Sequence, residues 1–300
     1  MGFFTNNQVV NISIGANVAF AGNSMYNAFN GCTNFNSPIT IPNSITNLSR
    51  TFYNCQKFNQ PVNIPNACTN LYYAFHNCQN FNQPVTIPNG VTNTGVMFSN
   101  CVNFNQPVTM SNSAMYAGSM FSNCVKFNQP VTIPNGVTYL GSMFSNCVNF
   151  NQLVTIPNGY ASNLMYMFRG CANLNRPVSI PNGVTDVYGM FWNCTKFNQS
   201  ITIPASVTGE LTRAFANCTN MACNIYIRGN VLYTTYLQGF LSGKNNSKRV
   251  NIFVPRGGTT NDACARTDSY SVVGTSITWT NYTNYRYNSR YNIYIYWNQF

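Results

Sequence analysis

The sequence predicts a β-rich repeat solenoid with short helical or turn segments, a single parallel sheet and a cap at each end. The first observation is a period of 23 or 24 residues, marked by a ladder of nine cysteines: Cys32, Cys55, Cys78, Cys101, Cys124, Cys147, Cys171, Cys194 and Cys218. The second is that apolar residues stand three places before and after each cysteine, as Phe121 and Phe127 do around Cys124. Such a short period is typical of stacked coils, because one coil cannot bury its own apolar face.

Each coil contains a short alternating segment after its cysteine. Val131 and Ile133 flank Thr132, and this Val-Thr-Ile order recurs in most coils. Alternation with a period of two predicts a strand with valine and isoleucine inward and threonine outward. The Pro-Asn-Gly at residues 134–136 ends the strand, because proline donates no ladder hydrogen bond and glycine tolerates positive φ. The predicted sheet runs through Val85, Val108, Val131 and Val154.

The chain divides into three predicted segments. Residues 1–24 are expected to form an N-terminal cap, residues 25–227 a nine-coil solenoid, and residues 228–300 an enlarged last coil with a basic, tyrosine-rich β cap. Apolar residues at helical spacing predict a short helix within residues 231–243. Two strands, within residues 269–281 and 290–300, are expected to close the open edge of the last coil.

The composition is polar but nearly uncharged, which argues against catalysis. Charged residues make up 6% of the chain, whereas an ordinary protein has about 25%. Four acidic residues and one histidine, His76, provide little material for acid–base or metal chemistry. Since the position of His76 holds very different residues in other coils, we expect it to face solvent. The sequence predicts no enzyme, no cofactor and no metal.

The repeated cysteines are expected to be buried, reduced thiols. Nine residues in one column cannot all pair, and bridges between alternate coils would break a regular stack. A disulfide framework is the less favoured alternative. A zinc site is not expected either, because the sequence has no C-x-x-C pair and a single histidine.

The repeat unit C-x-x-F-N-Q-P-V-T-I-P-N-G-V-T resembles the BspA-type leucine-rich repeats, in which an Ala-Phe or Met-Phe pair precedes the cysteine and a Thr-Ile-Pro strand follows it. Its F-N-Q-P-V and I-P-N-G-V-T blocks are also similar to FNIP repeats. The resemblance covers about residues 25–227. It implies a leucine-rich-repeat-like, interaction-type protein without catalysis, of a kind that occurs in bacterial surface adhesins, protist families and viral proteins.

An outward column of hydroxyl residues is the candidate ligand face. It consists of Thr40, Thr86, Thr109, Thr132, Thr155, Ser179 and Thr202. Spaced hydroxyls on a flat sheet suit a carbohydrate or protein ligand, and ice binding is less favoured. The plain alternative is that threonine is a good residue for the wet face of a strand.

Two columns of asparagine are expected to bridge backbone groups of successive coils, since turn amides and carbonyls otherwise lack partners. The first column includes Asn82, Asn105, Asn128, Asn151 and Asn175, and the second Asn89, Asn135, Asn158 and Asn182.

The C-terminal segment is the candidate docking region. Residues 224–300 carry eight basic side chains against two acidic ones. The candidate docking residues are Lys244, Lys248, Arg249, Arg256, Arg286, Tyr287, Arg290 and Tyr291. Arginine and aromatic side chains are the types that anchor protein interfaces. Nucleic acid is not favoured, because no nucleic-acid motif accompanies the charge.

The sequence shows no signal peptide and no apolar run long enough to enter a membrane. We therefore expect synthesis in a host cytoplasm and a place on the surface of a bacteriophage virion, as a fibre, decoration or host-binding protein. Its expected partners are other virion proteins or a host-surface protein or glycan, and homo-oligomerisation stays open. The alternatives are a bacterial cell-surface adhesin and an intracellular protein-interaction scaffold.

Overall fold

The computed structural model describes residues 20–158, 161–208, 211–228, 239–255, 280–281, 285–288 and 292–298. The chain forms two compact units, unit 1 at Met1–Val154 and unit 2 at Thr155–Phe300. Residues 1–19 of the predicted N-terminal cap lie outside the described residues. Of the remainder, Ala21–Asn23 forms a single 3-10 turn. The predicted divisions after residues 24 and 227 stay predictions.

In unit 1, the turn segment that leads to each cysteine holds neighbouring coils together. Its amides alternate between the next coil and their own: the Phe98 N–H donates to the Met120 carbonyl at 2.9 Å, whereas the Cys101 N–H donates to the Phe98 carbonyl at 2.9 Å. Parallel bridges join the starts of these segments from Ser24 to Tyr139. Successive coils therefore repeat the same hydrogen bonds.

Two residues of each turn segment have a left-handed backbone. The residue before the cysteine is usually asparagine, such as Asn100 at φ 63°, and is glycine at Gly31, where φ is 80°. The residue five places before the cysteine varies widely and includes Tyr73 at φ 59° and Val96 at φ 57°. Asparagine and glycine tolerate this region, whereas other side chains lose about 1–2 kcal/mol there. The stacked hydrogen bonds hold the backbone in this conformation.

The core contains the predicted aromatic columns. Within one coil of unit 1, the rings of Phe98 and Phe104 stack with centroids 4.3 Å apart. Phe98 lies 5.8 Å from Phe121 of the next coil. These side chains are fully buried. Burial of an aromatic side chain is among the largest favourable contributions that a residue makes to folding.

Strand pairing lies in unit 2. Its strands are β1 (Ile201–Ile203), β2 (Asn224–Ile227), β3 (Val250–Pro255), β4 (Thr280–Asn281), β5 (Tyr285–Asn288) and β6 (Ile293–Asn298). Their order in the sheet is β1-β2-β3-β6-β5-β4. The neighbours β1, β2, β3 and β6 pair in parallel, and β5 and β4 then extend the sheet beyond β6 with antiparallel pairing. As predicted, a C-terminal strand, β6, covers the edge of the last coil by pairing with β3.

The sheet differs from the prediction in unit 1. Residues 85–87 show the predicted alternation of burial, but the described part of this unit, from residue 20 on, contains no paired strand. The Phe column beside these segments, from Phe35 to Phe150, advances 5.5–6.0 Å per coil. Paired strands are only about 4.8 Å apart. In these coils the valine and isoleucine side chains pack side by side, and the inter-coil backbone bridges lie in the turn segments instead.

The helix predicted within residues 231–243 falls mostly outside the described residues. Residues 239–243 form turns, and the Phe215 N–H donates to the Phe240 carbonyl at 3.0 Å, as between earlier coils. This part of the segment therefore repeats the turn pattern. Over the described ranges, no helix has the length and apolar character needed to cross a bilayer.

Candidate functional site

The cysteine ladder has the geometry of a structural element. All nine cysteines are buried and free. The Cys147 thiol donates to the Phe121 carbonyl of the preceding coil at 2.9 Å, and equivalent bonds recur along the column. Burial raises the pKa of Cys101 and Cys147 far above its ordinary value. Since the thiolate is the reactive and metal-binding form, these groups are chemically inert in the folded protein.

The candidate ligand face lies where the sequence predicts it. Every residue of the column is exposed: Thr40, Thr86, Thr109 and Thr132 in unit 1, and Thr155, Ser179 and Thr202 in unit 2. The Val, Ile and Met residues on either side of each are buried, except Ile39, which is half-buried. The column therefore presents its side chains to solvent, as a ligand face requires.

In unit 2, the outward face of the sheet changes from hydroxyl to aromatic residues. Thr202 of β1 pairs with Tyr226 of β2, Tyr226 with Phe253 of β3, and Phe253 with Tyr296 of β6. The Tyr226 and Phe253 rings are 4.9 Å apart, and Phe253 and Tyr296 are 5.1 Å apart. Because side chains alternate along a strand, this row lies on the face opposite the buried isoleucines. We call Tyr226, Phe253, Tyr294 and Tyr296 the aromatic row.

Arg249, one of the predicted docking residues, contacts the aromatic row. Its guanidinium carbon lies 3.9 Å from the Tyr294 ring centroid. It also donates to the Tyr296 hydroxyl at 2.6 Å and to the Asn251 side-chain oxygen at 2.9 Å. An arginine held over an aromatic ring keeps its charge at the surface in a fixed position.

Apart from Lys244, the predicted docking residues divide into three groups. Lys248 and Arg249 are exposed. Arg286 and Tyr287 lie on β5, opposite Ile295 and Tyr294 of β6, while Arg256, Arg290 and Tyr291 lie outside the described residues. The sequence missed Tyr226, Phe253 and Tyr296, because the spacing between coils changes after Cys218.

Lys244 requires a correction, because it is buried and not available for docking. Only 6% of it is exposed, and its ammonium group donates to the carbonyls of Asn245 and Lys248 at 3.0 and 2.7 Å. Burial lowers the pKa of Lys244 to about 8. The ammonium satisfies turn carbonyls that would otherwise lack donors.

His76 also differs from the prediction of a solvent-facing side chain. It is half-buried, and its ring stacks on Tyr53 at 4.8 Å. Its Nδ1 is buried and has no hydrogen-bond partner among the described residues. Burial, and then the nearby Arg50 charge, lower the pKa of His76. Arg50 in turn lies 5.2 Å from the Tyr73 ring, so the histidine belongs to an arginine–aromatic cluster on the turn segments.

A similar arginine–aromatic cluster lies in unit 2. Arg169 and Arg213 lie 4.7 and 5.1 Å from the Trp192 ring. Such contacts contribute about 0.5–1 kcal/mol each at exposed sites. Sequence reasoning missed both clusters, because the two repeat positions that form them, five and two places before the ladder cysteine, hold different residues from coil to coil.

The first asparagine column bridges coils as predicted. The Asn105 N–H donates to the Asn82 Oδ1 at 2.9 Å, and the Asn128 N–H to the Asn105 Oδ1 at 2.9 Å. The second column is different: Asn89, Asn135, Asn158 and Asn182 are exposed, and none of these four side chains bonds to a neighbouring coil in the structure described.

The acidic residues offer no assembled catalytic group where they are described. The Asp186 carboxylate accepts hydrogen bonds from the Tyr188 N–H at 2.9 Å and the Asn163 amide at 3.3 Å, which ties two coils together. Glu210 lies outside the described residues. No cluster of three or more His, Cys, Asp or Glu side chains in the described ranges could hold a metal ion.

Comparisons with known proteins identify the repeats. Residues 96–222 match the family described as "BspA type Leucine rich repeat region", with six copies. Residues 23–135 match "Mycoplasma protein of unknown function, DUF285". A crystal structure of a leucine-rich repeat protein from Bacteroides ovatus is similar at 17% identity and a TM-score of 0.47, covering 83% of this chain and 80% of that one. No curated protein matches the sequence.

Proposed function

Because this chain carries BspA-type leucine-rich repeats, whose role is interaction or recognition, we propose that it is a non-enzymatic recognition protein. It binds through the outward face of its coils, on the column of hydroxyls and on the aromatic row. The observation that carries the proposal is the register of Thr202, Tyr226, Phe253 and Tyr296 on one face of unit 2. Half-buried aromatic side chains beside exposed hydroxyls give this face both apolar area and hydrogen-bonding groups for binding a partner.

The aromatic row is the docking surface for a protein partner with acidic side chains. Tyrosine, phenylalanine and arginine are enriched at the centre of protein interfaces, and Phe253, Tyr296 and Arg249 lie together here. Lys248 and Arg249 are exposed, and residues 224–300 have a six-charge excess of basic over acidic side chains. Complementary charge on the partner would raise the association rate. The hydroxyl column takes a neutral polar ligand such as a surface glycan.

For the setting, the proposal is an exposed component of a bacteriophage virion, such as a fibre, decoration or host-binding protein, docked by its C-terminal end. Two features support it: unit 2 offers a surface for attachment, and the exposed hydroxyl column offers a separate face for a ligand. The second candidate is a bacterial cell-surface adhesin. The match of residues 23–135 to a family described from Mycoplasma favours it, because Mycoplasma is a bacterium.

Immunogold microscopy of the native producer tests the setting. An antibody against the chain is applied to released phage particles, to intact cells and to thin sections of cells. Labelling of particles supports the virion, and labelling of the cell envelope supports the adhesin. Labelling confined to the cell interior contradicts both and leaves the intracellular scaffold.

The same assay tests the docking surface. Phe253→Ser with Tyr296→Ser removes the centre of the aromatic row, and labelling should be lost although the circular dichroism spectrum is unchanged. Tyr116→Ser is the matched control, because Tyr116 is 41% exposed and stacks on Tyr139 within unit 1. Equal labelling for the double variant and the control would refute the aromatic row as the attachment surface.

A further inference from the structure

A second surface, in unit 1, has a different chemistry from the outward face. Four asparagines of successive coils, Asn36, Asn59, Asn82 and Asn105, line an open groove of about 530 Å³. Each of these residues stands four places after its ladder cysteine. The groove therefore presents the same amide side chain once per coil.

Hydrogen bonding fixes which end of each amide is available. The Asn82 Oδ1 accepts the Asn105 N–H at 2.9 Å and the Gln106 amide at 3.3 Å. Asn36 and Asn59 accept from the next coil in the same way. Because a backbone N–H can only donate, the acceptor must be the oxygen, and this settles an amide orientation that is otherwise ambiguous. The NH₂ group of each side chain is left to donate to a ligand.

Two lysines border the same groove. Lys57 and Lys126 stand two places after their ladder cysteines, and both are exposed. The neighbouring Phe column advances 5.9, 6.0 and 6.0 Å over the three coil steps between them, which separates the two positions by about 18 Å along the coils. No acidic residue occurs in residues 1–154. The groove therefore combines two positive charges with a row of hydrogen-bond donors.

Between Lys57 and Lys126, the same repeat position holds Asn80 and Asn103, and Asn103 adds a hydrogen-bond acceptor to the groove. Asn103 uses its NH₂ group to donate to the Gln79 carbonyl at 2.9 Å, so its side-chain oxygen is the group left for a ligand. A ligand that fits this groove carries negative charges, many acceptor oxygens and some hydroxyl donors.

We infer that the groove binds an acidic glycan, an extended chain of sugars with carboxylate or sulfate groups. The lysines pair with the anionic groups, the amides of Asn59 and Asn82 donate to them or to ring and hydroxyl oxygens, and Asn103 accepts a sugar hydroxyl. Charge-assisted hydrogen bonds are the strong contacts in such a site. All lining side chains are Asn or Lys. Binding of single-stranded nucleic acid depends on stacking on aromatic rings, so the groove favours a glycan over a nucleic acid.

Calorimetric titration of the full-length protein with tetragalacturonate tests the site, with maltotetraose as the uncharged probe. Tetragalacturonate should bind and maltotetraose should not. Lys57→Gln and Lys126→Gln should each weaken binding about threefold to tenfold. Asn82→Asp retains the oxygen that accepts the Asn105 N–H but replaces the donor NH₂ by a negative oxygen. It should weaken binding at least about tenfold while the melting temperature stays near that of the unchanged protein.

Lys196→Gln is the matched control for the charge change. Lys196 also stands two places after a ladder cysteine and is exposed, but it lies in unit 2. An equal loss of affinity for this variant would show that net charge, and not the groove, holds the probe. Failure of tetragalacturonate to bind, equal binding of maltotetraose, or equal binding of a single-stranded oligothymidylate would each overturn the inference. Variants of the aromatic row should leave this titration unchanged, so the two surfaces are tested separately.

Discussion

The thiol of Cys124 donates a hydrogen bond to the carbonyl oxygen of Phe98, 3.0 Å away on the preceding coil. A disulfide sulfur has no hydrogen to donate, so this contact requires the reduced residue. Because the bond recurs along the ladder, reduction is part of how the coils fit together.

The first prediction concerns these thiols. In the folded protein, the ladder cysteines should resist a thiol-specific reagent, because burial raises their pKa and excludes the reagent. After denaturation without reductant, at least eleven thiols per chain should react, since the eleven described cysteines are free. Colorimetric titration measures both numbers, and a count near zero after denaturation would mean that the ladder is oxidised.

The second prediction concerns the aromatic columns. Phe121→Ala should lower the free energy of unfolding by about 3–5 kcal/mol, because it opens a cavity between rings of its own and neighbouring coils. The neighbouring Ser122→Ala should change it by less than about 0.5 kcal/mol. Urea titration compares the two variants with the unchanged protein. Equal shifts would contradict the assignment of Phe121 to the core.

The third prediction concerns backbone conformation. Val96 has φ 57° and is half-buried, and a β-branched side chain is unfavourable there. Val96→Asn should raise the stability by about 1 kcal/mol, because asparagine tolerates the left-handed region. Val125→Asn is the control, since Val125 is exposed and has no positive φ. Thermal melting distinguishes them, and a loss of stability at Val96 would contradict the argument.

The fourth prediction concerns pH. Burial, and then the Arg50 charge, lower the pKa of His76 in the folded protein, so the unfolded chain binds a proton more readily. The contribution of His76 to the free energy of unfolding should therefore be fully present above the ordinary histidine pKa of about 6.5. It should decrease as the pH falls through and below that value. His76→Phe keeps a ring to stack on Tyr53 but cannot titrate. Because His76 is the only histidine, the variant should lose this decrease between pH 7.5 and 5. An unchanged decrease in the variant would place its origin elsewhere.

The periodic part of the fold could be predicted from the sequence, because one residue type at one repeat position implies one environment. Cys124, Phe121 and Phe127 all lie in the core as their spacing predicts. Strand pairing in unit 1 could not be predicted in the same way. The Val-Thr-Ile pattern reports only which side chains are buried, whereas pairing also depends on how closely the backbones of neighbouring coils approach, which the pattern does not specify.

The candidate surfaces were predictable only in part. The exposed threonines follow from alternation, but the aromatic row does not, because 24 residues separate Thr202 from Tyr226, 27 separate Tyr226 from Phe253, and β6 returns from the far end of the chain. Lys244 illustrates another limit, since a lone lysine in a polar segment has no periodic neighbours that would indicate burial. The orientation of the Asn82 amide likewise depends on a partner in the next coil.

The asparagine bridges give the coils of unit 1 a direction, because each coil accepts on one side and donates on the other. A coil inserted between two others meets the same donor on one side and the same acceptor on the other. A gene that encodes such coils can therefore gain or lose a block of 23 codons by recombination without creating an unmatched junction. Length is then free to vary between related genes, and each added block would lengthen the groove and the hydroxyl column by one step.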